Sequence, residues 1–191
     1  IMWQEITGRV RSSPGRLLVP VFTDDNLDDM LVRLVGNFRW ELCRTMMGVV
    51  WNDVTQPSLT SEYTDYIQFY RKNRDLSDEA KDKIKSQCSK YHGKMRDIFT
   101  SDYELWINNE SKGNARLNKV ARSIFIKYCP FSRSIREQLE KSPMFVDMIM
   151  MMKKHHSKLA RELENHYRIY CKNNDTLDTV LENNLRFYRD M

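Results

Sequence analysis

The stretch MFVDMIMMMKKHHSK, Met144 to Lys158, holds five methionines and a histidine pair in fifteen residues. Three readings compete for it: a soft metal site, a membrane contact, or the inward face of a helix. Met144, Met148, Met152 and His156 advance in steps of four, which would stack thioethers and an imidazole along one ridge suited to Cu(I). A helix core needs the same spacing, and methionine fills irregular gaps because it is unbranched and flexible. His155 and His156 are adjacent, so on a helix they point about 100° apart and do not grip one ion together. The interior of a helix is therefore the expectation. Its buried stripe reads Phe145, Met148, Met152, His156, Leu159, Leu163, His166 and Tyr170, with Met144 and Met151 widening it.

Working outward, Ser142 and Pro143 supply a cap and a first-turn proline, so the helix runs from 143 to about 173. Asp175 and Asp178 open a last helix carrying Leu177, Leu181, Leu185 and Tyr188. Upstream, Asn114 starts a helix through Leu117, Val120, Ile124 and Tyr128, which Pro130 stops, and a brief helix lies near Ile135 to Leu139. The steps Ala80, Ile84, Cys88, Tyr91, Met95, Ile98, Phe99, Tyr103 and Trp106 predict one long rod over 77–111, with Gly93 as its weakest point. A helix over 59–73 puts Tyr63, Tyr66, Ile67 and Tyr70 on one face. Another over 25–47, capped by Asp25, buries Leu27, Leu31, Leu34, Phe38, Leu42 and Cys43.

The fold expected is all-α: an elongated helical bundle of about seven helices built around two long antiparallel helices. Residues 1–22, with Gly8, Pro14, Gly15 and Pro20, form an extended entry segment, and 23–191 form a single helical domain. Composition agrees, because six glycines and five prolines in 191 residues leave little material for the turns of a sandwich or barrel. Hydrophobic residues make 41% and charged ones 30%, a hydrophilic but folded balance.

No signal peptide is visible and no run approaches the apolar length of a membrane span. Cys43, Cys88, Cys129 and Cys171 stand far apart in the chain and suggest isolated thiols, hence a reducing, cytoplasmic setting. The chain begins at Ile1 rather than at a methionine, which suggests a piece excised from a larger protein. Asn109-Glu110-Ser111 and Asn174-Asp175-Thr176 match glycosylation acceptors but are discounted, since such tripeptides arise often by chance.

Phosphate loops, a dinucleotide fingerprint, an esterase elbow and a zinc helix are all absent as motifs. The aspartates of TDDNLDD lack the glycine and distant glutamate of a calcium loop, and capping explains them. No catalytic residue, metal ligand or cofactor is assigned. The polar, aperiodic stretch from Trp51 to Asp65 is where an enzyme or carrier site would lie, with Trp51, Asn52, Asp53, Glu62 and Asp65 as its candidates. Turn bonds, a favourable first helical turn and a packed tryptophan explain the same residues.

Charge is the remaining signal. Residues 112–172 carry 14 Lys and Arg against 5 Asp and Glu, a net of +9, whereas 1–111 and 173–191 are each at −2. A basic block of this kind attracts an acidic partner. The candidate contact residues are Arg116, Lys119 and Arg122 on the shorter helix and Lys153, Lys154 and Lys158 on the long one, forming a common face if those helices pack together. The function expected is a non-catalytic interaction or scaffold domain docking an acidic protein; the competing reading is a nucleic-acid-binding helical domain.

Overall fold

The computed structural model describes residues 2, 3, 17, 18, 24, 26–173 and 177–189. Among them it is helical almost throughout. The chain divides into two compact units, residues 1–128 and 129–191. Of the entry segment, only a two-residue antiparallel ladder is described: β1 (Met2–Trp3) pairs with β2 (Leu17–Leu18) in the register Met2 to Leu18 and Trp3 to Leu17. The remainder of that segment lies outside the described residues, as do the expected caps Asp25 and Asp175.

In the first unit, α1 (Leu27–Met47) is capped by Asn26, whose side chain accepts the Asp28 N–H. It ends at Gly48, which takes positive φ where a side chain would be strained. Ser58 and Ser61 form a reciprocal capping box that starts α2 (Leu59–Phe69). Next come α3 (Asp78–Lys90), capped by Ser77, and α4 (Met95–Asn108).

The single rod expected over 77–111 is thus two helices. His92 and Gly93 both adopt positive φ, at 50° and 70°, and the Gly93 N–H closes back onto the Cys88 carbonyl at 2.9 Å. That closure consumes the carbonyl that would have continued the helix, so the chain turns where the apolar periodicity alone ran straight through. The long-helix pair is replaced by one long helix, found in the second unit.

The helix expected from Asn114 starts later, as α5 (Lys119–Tyr128). Asn118 is its cap, accepting from Val120 N and Ala121 N. The delay has a cause: the Glu110 carboxylate takes the N–H groups of Arg116 and Leu117 at 2.6 and 2.7 Å and holds that backbone out of the helix.

The core of this unit is aromatic. Phe99 and Phe125 stack at 5.3 Å, Trp106 stacks on Phe125 at 5.6 Å, and Tyr63 meets Phe99 edge-on at 5.2 Å. Trp40 of α1 closes the cluster against Phe99 at 5.3 Å. Each such side chain contributes about 1.5–3 kcal/mol on burial. Where α1 crosses α4 the backbones approach so closely that a Cβ on Gly36 would sit 3.0 Å from the Tyr103 ring.

The second unit holds α6 (Arg133–Leu139), α7 (Pro143–Asn173) and α8 (Thr179–Arg189). The last packs on α7, with Arg189 bonded to Glu164 at 2.8 Å and the Asn184 amide donating to the Tyr167 hydroxyl. The methionine stretch is helical, as expected, but its inward stripe is Phe145, Ile149, Met152, His156 and Ala160. Met144, Met150 and Met151 are more than half exposed, and His166 and Tyr170 also face outward. Met144 and Met151 share their face with Asp147, His155 and Lys158, one and two turns away, and those polar neighbours need water.

Candidate interaction surfaces

The expected cations do not all reach solvent. Arg122 is buried, with Nε donating to Glu110 Oε2 at 2.7 Å and Nη2 to the Leu117 carbonyl at 2.8 Å. It is therefore withdrawn from the surface set. A carboxylate with no exposure needs a desolvated cation beside it, and α5 offers Arg122 in its first turns. Periodicity gave no hint of this, although an acid at 110 and a base at 122 flanking a turn could have been paired on charge alone.

Arg116 and Lys119 do face solvent, and both belong to the first unit. The Lys83 ammonium donates to the Arg116 carbonyl at 2.9 Å, which adds a third cation from α3 that the sequence reading missed. In the second unit Lys153, Lys154 and Lys158 are exposed on α7. Lys153 is bonded to Glu140 of α6, and Lys158 lies 3.7 Å from Glu162 one turn on. Lys154 and Arg161 have no carboxylate within ion-pair distance among the described residues. Spaced seven apart they share the outer side of α7 with the exposed Met150, while Met144 and Met151 stand beside them.

The stretch from Trp51 to Asp65 is held by bonds near in sequence and by one reach to α5. Asp53 accepts from the Thr55 N–H at 2.9 Å and hydroxyl at 2.8 Å, and those bonds hold its carboxyl below the usual range. Trp51 meets Trp40 edge-on at 6.3 Å and its carbonyl takes the Thr60 hydroxyl at 2.6 Å. Glu62 reaches across to α5, accepting from Lys127 and from the Tyr128 hydroxyl at 2.7 Å. Asp53 and Glu62 therefore face separate partners.

A second polar cluster lies deeper. Asp102 of α4 is buried and accepts from Tyr63 Oη at 2.8 Å and Gln87 Nε2 at 2.7 Å. Burial raises its pKa, against the lowering effect of those two donors. Burial also pushes Tyr63 well above its ordinary value, with the Asp102 charge adding to the shift. Both carboxylate oxygens are satisfied, so the cluster clamps α2, α3 and α4 together as a core polar tie. Among the described residues no three His, Cys, Asp or Glu side chains gather around a common point fit for a metal ion. No disulfide joins any two of the four cysteines. No helix among the described residues is long and apolar enough to cross a membrane.

A family model, Domain of unknown function (DUF8509), matches residues 48–188, well over half of the chain. The chain belongs to this family. The DUF8509 match opens at the end of α1 and runs to the end of α8, so it takes in both basic faces and leaves α1 and the entry segment before it. No curated protein and no solved structure matches the chain.

Proposed function

We propose that this chain is a non-catalytic, intracellular interaction domain, part of a larger protein, that docks an acidic protein partner through solvent-facing cations. Arg116 and Lys119 carry the contact in the first unit, and Lys153, Lys154 and Lys158 carry it in the second. The single supporting observation is the outer face of α7, where Lys154 and Arg161 have no carboxylate within ion-pair distance among the described residues and share their side with the exposed Met150, with the exposed Met151 on the adjoining side. Cations without internal partners attract an acidic segment, while flexible thioethers give its apolar side chains an adaptable surface. A phosphate backbone would use the charges and leave the methionines wet, which favours a protein partner over nucleic acid.

The experiment is a pair of salt titrations on the full chain, one with an amphipathic glutamate- and leucine-rich peptide and one with duplex DNA and single-stranded RNA. The proposal expects peptide binding that weakens modestly with salt and is lost in the triple variant Lys154→Glu, Lys158→Glu, Arg161→Glu. Tight DNA or RNA binding with a steep log-log salt slope, abolished by the same reversals, would establish the nucleic-acid reading instead. Binding indifferent to the reversals would remove both.

A further inference from the structure

His156 is 3% exposed and lies where α8 meets α7. Its ring faces Tyr188 at 5.4 Å and Phe187 at 6.3 Å, both from the last turn of α8. Nδ1 has no hydrogen-bond partner among the described residues. An imidazole enclosed in this way is favoured only while neutral, because burial penalises its charged form. The groups around it add to that preference. On α6 the buried Arg136 guanidinium donates to the Phe131 carbonyl, and Glu140, one turn on, is already bonded to Lys153 of α7. On α7 itself the His155 ring is 6.1 Å away. On α8 Arg189 follows Tyr188 and is held by Glu164. No carboxylate lies within ion-pair distance of the imidazole among the described residues. Burial, His155 and Arg136, in that order, lower its pKa.

The grip on α8 is light, since none of its residues is buried. Its polar ties to α7 are the Arg189 to Glu164 ion pair, with side chains 57% and 40% exposed, and the Asn184 amide on the Tyr167 hydroxyl. Exposed ion pairs contribute little. The remaining contact is a seam: His156, Ala160, Leu163 and Tyr167 advance in steps of four, three and four along one side of α7, and α8 meets that side at both ends, through Tyr188 and Asn184. Leu181, Leu185 and Tyr188 of α8 are half-buried against it.

We infer that α8 is an acid-released arm: protonation of His156 undocks it from α7 while the rest of the second unit stays folded. In the docked state a proton on His156 puts a cation near Arg136 with no acid to receive it. Once α8 leaves, water reaches the imidazole and the proton is accepted near the ordinary value of about 6.5. The docked value is the lower of the two. Docking is therefore indifferent to pH above about 6.5 and weakens below it, until the lowered docked value is passed. At 11 residues α8 is too short to hold its helix well alone, so release also frays it. Release uncovers the side of α7 from His156 to Tyr167.

Hydrogen exchange of the full chain, read by mass spectrometry at pH 7 and 5.5 and corrected for intrinsic rates, tests this. Protection over 179–189 is expected to fall by about three- to tenfold at the lower pH, about tenfold being the ceiling for one group one unit below its free pKa. Residues 145–152 of α7, and α4 in the first unit, are expected to keep theirs. In His156→Phe the fall in α8 is expected to vanish. Unchanged protection of α8 at pH 5.5 overturns the inference, as does a fall that His156→Phe retains. A loss shared equally by 145–152 also overturns it, because the unit then unfolds as a whole. Should His156→Phe fail to fold, Tyr188→Ala strips the ring cover instead. That variant is expected to lower α8 protection already at pH 7 and to flatten its pH response, and an undiminished response overturns the inference.

Discussion

Glu110 has no solvent exposure, yet its two carboxylate oxygens accept from Arg116 N, Leu117 N and the Arg122 guanidinium. Those bonds fix the path of the chain into α5. Glu110→Gln leaves a buried guanidinium without its counter-charge, and is expected to cost about 3–5 kcal/mol in equilibrium urea unfolding. His156 is the other residue whose state is set by its surroundings. It is buried, with Nδ1 lacking a hydrogen-bond partner among the described residues, and the rings of Tyr188 and Phe187 from α8 lie 5.4 and 6.3 Å away. Its pKa is lowered, first by burial and then by His155 beside it on α7 and Arg136 on α6. Above about pH 6.5 folded and unfolded states both carry a neutral imidazole, and the group adds no pH dependence. Below that value the unfolded chain takes up a proton that the folded one resists, so stability falls until the lowered folded pKa is passed. The urea midpoint of the wild type is therefore expected to drop relative to that of His156→Phe as the pH is taken from 7 to 5.

At the scale of elements, two glycines shape the first unit by different means. Gly93 sits at φ 70° with nothing near its missing Cβ, so only the backbone opposes a side chain there. Gly93→Ala is expected to cost about 1 kcal/mol, read as a fall of roughly 2–4 °C in the melting temperature. Gly36 has ordinary helical geometry but faces Tyr103 at close range. Gly36→Val pushes α1 off α4 and is expected to cost about 1–3 kcal/mol, again by urea unfolding. The element reading from sequence succeeded where signals were local: the start of α7 at Pro143, the start of α2 at 59, and the brief α6. It failed at the α3 to α4 turn because the apolar steps on either side happen to keep phase across His92 and Gly93. It failed at Asn114 because a distant carboxylate, rather than a cap, controls that backbone.

For the whole molecule, the net of +9 over residues 112–172 describes a composition rather than a surface. Arg122 and Arg136 from this block are buried, Lys127 is bonded to Glu62, and Lys153 is bonded to Glu140 while still facing solvent. The solvent-facing cations of the proposed contact belong to separate units, with Arg116 and Lys119 in one and Lys154, Lys158 and Arg161 in the other. Reversing the last three is expected to change unfolding free energy by no more than about 0.5 kcal/mol per site, since among the described residues only Lys158 of the three has a carboxylate near, and both it and Glu162 are well exposed. The same triple reversal is expected to abolish acidic-peptide binding in titration, which separates a binding role from a structural one.

By itself the sequence determined that the chain is helical, where most helices begin and end, and that positive charge concentrates in one third of its length. Caps, prolines and the 3.6-residue period act within a few residues of themselves, so they are written locally. Only the tertiary structure decided which side of each helix is covered. Both α1 and α7 carry apolar residues on two sides, and a helical period marks each side equally well. The neighbour that packs against a helix selects one of them: Phe99 and Tyr103 draw Trp40 and Gly36 inward on α1, leaving outside Leu27, Leu31, Phe38 and Leu42, which the sequence pattern places inward. On α7, Ile149 is enclosed while Met150 and Met151 are left in water, because the enclosing groups come from elsewhere in the chain and no local pattern records their direction.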